Sequence, residues 1–168
     1  MPKKTVVVLS LISVLSVSGL IFSGVRQNVI HDRMTAPIPE TTLKNEHYLV
    51  GAKMIYFSDG EGYYLGDKNT KVAVIAQIAS GDFNHDGWQD AAMLITSVGG
   101  DESGKTWLAI VCSSEGTPYL RKAIQLNFPA ESVDFQNDGS VLVSSSSRYG
   151  YRSEAYGLTG ARLWKSIE

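Results

Sequence analysis

Residues 78–97 read IASGDFNHDGWQDAAMLITS, an acidic loop that runs directly into an apolar stretch. Oxygen-bearing side chains stand at Asp82, Asn84, Asp86 and Asp90, the first, third, fifth and ninth positions of a D-x-N-x-D-G-x-x-D pattern. Alternate residues of a tightly curled loop aim their side chains at one centre, and a hard cation such as calcium takes about six to eight oxygens at roughly 2.3 to 2.6 Å. Gly87 permits the positive φ that turns the chain, which lets the carbonyl of Trp88 approach as a further ligand. The carboxylates of Asp82, Asp86 and Asp90 gathered without a cation would repel one another. Carboxylate and amide oxygens, with no cysteine and no well-placed histidine, favour calcium over zinc or copper. A helix-loop-helix site would carry a bidentate glutamate at the twelfth position, which here is Met93, inside AAMLIT. The loop therefore joins strands.

Outward from it, the chain after Gly51 consists of short runs rich in Val, Ile, Tyr and Thr, punctuated by Asp-Gly, Gly-Gly and Glu-Gly pairs. That pattern predicts a mainly β, antiparallel domain with strands near 53–57, 62–65, 71–79, 90–98, 105–113, 118–126, 140–146 and 155–165. The nearly continuous apolar runs Val72 to Ile78 and Ala91 to Thr96 predict central strands covered on both faces. Lys105 to Ser113 and Tyr119 to Leu126 mix polar positions in, and Ser144 to Ser147 reads as a strand end or loop. Upstream, Pro39-Glu40 followed by TTLKNEHYL predicts a short helix with Leu43, Tyr48 and Leu49 on its inner side.

An aspartate at the ninth position leading into a buried strand resembles the calcium loops of FG-GAP and VCBS-type repeats, in which the ion ties a turn between adjacent strands. The order of calcium loop, apolar strand, Gly-Gly loop and TWLAIV also resembles a group of small bacterial envelope proteins with a GDLNGDGxxDAAV core. The likeness spans about Leu43 to Gln125 and departs from that group in the longer, more acidic connection GGDESGKTW from Gly99 to Trp107. It implies export and one bound calcium ion and supplies no reaction.

A second stretch, VDFQNDGSVLV from Val133, echoes the loop with Asp134, Gln136, Asp138 and Gly139, but its ninth position is Leu142. Without that carboxylate it reads as an Asn-Asp-Gly hairpin, with a degenerate repeat of poor ion affinity as the alternative. Asp59-Gly60 reads as a turn, and Cys112, the one cysteine, as a small buried hydrophobe that excludes an internal disulfide. Trp107 and Trp164 read as core or sheet aromatics. The stretch RYGYRSEAY joins Tyr149, Tyr151 and Tyr156 to Arg148 and Arg152, a hairpin with cross-strand tyrosines or a contact surface for an envelope protein or glycan. Of the histidines, His31 lies in a tether, His47 near the domain start, and His85 at the outward-pointing fourth loop position, where it reads as a solvated turn residue. None sits in a nucleophile motif. Glu61, Glu115 and Glu131 could supply a hydrolytic carboxylate pair only by meeting in space, and no motif favours any pair. The expected function is non-catalytic.

At the amino end, Lys3-Lys4 precede the uncharged segment Thr5 to Val25, the layout of an export signal or a single membrane-spanning anchor. Ser16-Val17-Ser18 offers small residues for cleavage, and no cysteine is available there for lipid attachment. Outside that segment 13 of the 15 basic residues face 17 acidic ones, scattered singly except for Arg121-Lys122, which argues against a nucleic-acid partner. The roughly 145 residues beyond the segment are too few for a complete propeller, whose blades take roughly 40 to 50 residues each. The sequence thus predicts a signal or anchor over 1–25, a linker over 26–42 and a β domain over 43–168 with its calcium loop at 82–90. The protein is expected in the periplasm or outside the cell, as a calcium-binding module that mediates binding or as an anchored subunit of an envelope complex.

Overall fold

The structure, a computed structural model, describes residues 36–66, 69–99, 102–114, 117–147, 150–159 and 162–165. The signal or anchor segment, His31, Glu115, Arg148, Tyr149 and the Trp164 side chain lie outside the described residues. The chain from Ala36 onward folds as one compact unit. Among the described residues no helix is long and apolar enough to cross a membrane.

The fold is mainly antiparallel β, as the run-and-turn pattern predicts. One turn of helix, α1 (Glu40–Leu43), precedes a seven-stranded meander: β1 (His47–Val50), β2 (Lys53–Ser58), β3 (Glu61–Tyr64), β4 (Lys71–Gly81), β5 (Asp90–Ser97), β6 (Thr106–Ser114) and β7 (Thr117–Gln125). The sheet coils until β1 approaches β7, giving a nearly closed barrel. A second sheet is formed by β8 (Ser132–Phe135), β9 (Val141–Ser147), β10 (Gly150–Thr159) and β11 (Arg162–Lys165), again in chain order. Its first strand, β8, lies against β4 and β5.

Side-chain alternation divides the apolar residues between two cores. Ala91, Met93 and Ile95 of β5 point into the coiled sheet with Tyr48, Ile55, Phe57 and Trp107. Ala92 and Leu94 point the other way, with Leu108, Ile110 and Cys112 of β6, under Val133, Val141 and Val143 of the second sheet. Each fully buried aliphatic or aromatic side chain contributes roughly 1.5 to 3 kcal/mol, so β5 and β6, covered on both faces, are the anchor of the domain.

Two-sided coverage holds for Ala91 to Ile95, with Thr96 half-buried, but not for Val72 to Ile78, where Ala76 and Gln77 are exposed and a register shift falls between Ile75 and Gln77. The strand with full coverage is instead β6, buried from Thr106 to Ser113. Its Leu108, Ile110 and Cys112 share the second core with Val133, Val141 and Val143 of the second sheet and with Leu126, Phe128 and Ala130 after β7. The expected helix ends at Leu43. His47–Val50 alternates exposed and buried, so Tyr48 and Val50 enter the core while Leu49 is 49% exposed. Asn45 makes the break: its amide donates to the Thr41 carbonyl at 2.8 Å, and its carbonyl accepts the Asp59 N–H at 3.0 Å. Asp59 (φ 52°) and Gly60 (φ 81°) form the two-residue turn expected there.

Ser144 to Ser147 is the end of β9, the first of the two alternatives expected, and not a loop. Ser144 pairs on both sides, with Ser132 of β8 and Ser153 of β10, and Ser145 to Ser147 pair with β10 alone, Ser146 opposite Tyr151. Its hydroxyls are absorbed by the Ser132–Ser144 contact at 2.6 Å and by Glu131, whose carboxylate accepts the Ser146 N–H and hydroxyl. The expected strand over 155–165 is two strands, β10 and β11, paired from Tyr156–Lys165 to Thr159–Arg162.

Candidate metal centre

The ladder between β4 and β5 closes at Gly81–Asp90, leaving residues 82–89 as the connecting loop. Within it the even-numbered side chains fold onto the loop's own backbone. Asp82 accepts the N–H of Asp86 at 3.1 Å with one oxygen and that of Gly87 at 3.0 Å with the other. Asn84 Oδ1 accepts the same Asp86 N–H at 3.1 Å, and its Nδ2 donates to the Asp86 carboxylate at 2.8 Å. Asp86 Oδ1 accepts the Trp88 N–H at 2.8 Å. Oxygens of Asp82, Asn84 and Asp86 are thereby drawn to one side of the loop. Gly87 has the expected positive φ (87°), and His85 is left-handed too (φ 57°), a conformation histidine tolerates better than most residues.

Asp90 differs from the other loop carboxylates in being fully buried. Its oxygens accept the N–H of Phe83 at 2.9 Å and, across the ladder, that of Ser113 at 2.8 Å. Burial pushes its pKa above the usual aspartate value, the backbone bonds from Ser113, Phe83 and Asn84 oppose that rise, and the charge on Asp86 adds to it. It fastens both ends of the loop to β6.

The donor set is all oxygen, which suits a hard cation. The carboxylate oxygens already bound to N–H groups keep further lone pairs for an ion. Among the described residues no three acidic, histidine or cysteine side chains form a group that could hold a metal ion. Asp82, Asn84, Asp86 and Asp90 therefore share one loop, with three turned to its backbone and the fourth to the sheet. Trp88 is half-buried beside them.

Odd-numbered loop residues point away from these oxygens. Phe83 is buried in the second core, and its ring meets Phe135 edge-on at 6.2 Å. His85 is exposed, as expected of the fourth position, yet its imidazole lies over Gly139 of the echo loop. That second loop is a hairpin: Asp138 accepts the Ser140 N–H at 2.9 Å, and Gln136 and Ser140 close the turn at 2.8 Å. Hydrogen bonds from Ser140 hold the Asp138 carboxyl below the usual aspartate range, assisted by His85.

The carboxylates considered for hydrolysis have separate duties: Glu61 binds Lys71 and Tyr63, and Glu131 caps the serines of β9. His47 packs on Tyr56 at 4.9 Å. Sequence reasoning missed Glu154, which lies inside RYGYRSEAY. Nearly buried, it accepts bonds from Lys165 at 2.6 Å, the Tyr156 hydroxyl at 2.6 Å and Arg152 at 2.9 Å. Burial raises its pKa, but these three donors outweigh burial and the net shift is downward. The local signal was a glutamate alternating with Tyr156 on the inner face of β10; the partner on β11 is not local. Tyr151, by contrast, is 68% exposed on the hairpin between β9 and β10.

No family model, no curated protein and no solved structure matches this chain.

Proposed function

We propose that this chain is an exported, calcium-binding, non-catalytic β module of the bacterial envelope or extracellular space, in which the ion rigidifies the β4–β5 corner. The observation that carries the reading is the division of loop 82–90: oxygens of Asp82, Asn84 and Asp86 face the loop interior, while Phe83 and His85 leave it. The carbonyl of Trp88 and the carboxylate of Asp90 complete the proposed ligand set. Bound calcium would neutralise carboxylates that otherwise repel, so its binding energy becomes folding energy. With free calcium about a hundredfold above the dissociation constant, linkage gives about 2.7 kcal/mol. Such a module presents a surface rather than a reaction, and the exposed Tyr151 on the β9–β10 hairpin offers an aromatic contact for an envelope protein or glycan.

Calcium titration of the full chain by isothermal calorimetry tests the ion site: one site is expected, and absence of binding heat and of thermal stabilisation would remove it. Export is tested by fusing residues 1–40 to a reporter that works only outside the cytoplasm. An active reporter is expected, and an inactive cytoplasmic fusion contradicts export.

A further inference from the structure

Loops 82–90 and 134–142 both carry the string D-F-x-x-D-G, at Asp82 to Gly87 and at Asp134 to Gly139. The fold sets the two copies against each other. Phe83 meets its counterpart Phe135 edge-on, and Gly81, which opens the first loop, lies so close to Phe135 that a Cβ at Gly81 would overlap the ring. The His85 imidazole occupies the space a Cβ at Gly139 would fill, and Gly139 is itself left-handed (φ 79°). The first loop belongs to the coiled sheet, and the second joins β8 to β9 of the other sheet. These contacts are thus a junction between the sheets, at the strand β8 that lies on β4 and β5.

Both junction side chains come from odd-numbered residues of the first loop, and the proposed ion ligands from even-numbered ones. Fixing Asp82, Asn84 and Asp86 around one centre fixes the backbone between them, including the left-handed His85, and so fixes where Phe83 and His85 point. We infer that loop 82–90 is a cation-dependent clasp, in which calcium held by the even-numbered side chains locks the β8–β9 hairpin onto the first sheet through Phe83 on Phe135 and His85 on Gly139. This rests on the calcium reading above. It goes beyond it in placing the effect of the ion in a different sheet, at residues that bind no ion.

Hydrogen exchange of the full chain, with calcium chloride and with chelator, tests the clasp alongside calorimetry on the same samples. In the wild type, calcium should slow exchange about fivefold or more both in 82–90 and in 133–143. His85→Gly removes the ring and accepts the left-handed backbone, so it should bind calcium with little change in affinity and lose the added protection in 133–143 while keeping it in 82–90. Gly139→Ala displaces the ring from the other side and should do the same. Calcium binding with protection confined to 82–90 in the wild type, or transfer to 133–143 that survives both substitutions, overturns the clasp and leaves the ion site standing. No binding heat in the wild type overturns both.

Discussion

The two D-F-x-x-D-G loops lie side by side with nearly the same first six residues, yet they diverge at the ninth. In the first, that residue is Asp90, buried and bonded to Phe83 and Ser113, so the loop is tied at both ends to β6. In the second it is Leu142, which pairs with Asp134 in the β8–β9 ladder and leaves only residues 136–140 outside it. One buried carboxylate thus separates a wide, anchored loop from an ordinary hairpin. The Asp-Gly turn signal is shared, while the capacity to gather oxygens depends on the residue that fastens the far end.

The comparison breaks most severely if Asp90 is replaced by the residue its counterpart carries. Asp90→Leu strands the buried N–H groups of Phe83 and Ser113 and should cost about 3 kcal/mol or more, read by urea denaturation in chelator. A loss below about 1 kcal/mol would mean that Asp90 does not anchor the loop. Next in size, Asp86→Ala should abolish most of the calcium-dependent rise in melting temperature, which amounts to about 2.7 kcal/mol at a hundredfold excess over the dissociation constant. An undiminished rise would move the ion elsewhere.

The pH response sharpens the contrast, because the two loops shift in opposite directions. In chelator the folded pKa of Asp90 lies above its usual value, so the folded state holds the proton more tightly and stability falls as pH rises through the window between the two values. Asp138 is depressed, so its contribution is present above the usual aspartate pKa and fades as pH falls through the folded one. Carbon-detected NMR titration should find Asp90 above and Asp138 below the ordinary aspartate midpoint, with added calcium pulling Asp90 down and leaving Asp138 unmoved. Asp90 titrating at or below Asp138 in chelator would erase the distinction. The smallest effects are expected from Asp138→Ala, which removes only the acceptor for Ser140, and from His85→Ala. Both should leave the calcium-dependent rise in melting temperature nearly intact in scanning calorimetry, and a large loss in either would make the echo loop part of the ion site.

Features set by near neighbours were legible in the sequence. The alternation of Asp82, Asn84 and Asp86 inward with Phe83 and His85 outward, the positive φ of Gly87 and the two-sided burial of Ala91 to Ile95 arise from local chemistry and run length. Other features depend on where distant segments land. Val72 to Ile78 and Trp107 to Cys112 are comparably apolar, and only distant segments, the second sheet and the stretch carrying Leu126, Phe128 and Ala130, decide that the latter is covered twice. β1 is four residues long, too short for its alternation to outweigh the helix signals of Pro39 and Glu40. The Glu154 cluster draws Lys165 from another strand, and the seat of His85 on Gly139 joins residues in different sheets. The ninth-position aspartate was visible as a candidate ligand, but its partner Ser113, on β6, was not.

Scanning calorimetry of the full chain, once with excess calcium and once with chelator, tests the central claim most directly. If loop 82–90 holds a calcium ion, the melting temperature rises with calcium and the rise disappears in Asp86→Ala. Superimposable melting curves in calcium and chelator would mean that GDFNHDGWQD is a hydrogen-bonded turn and nothing more.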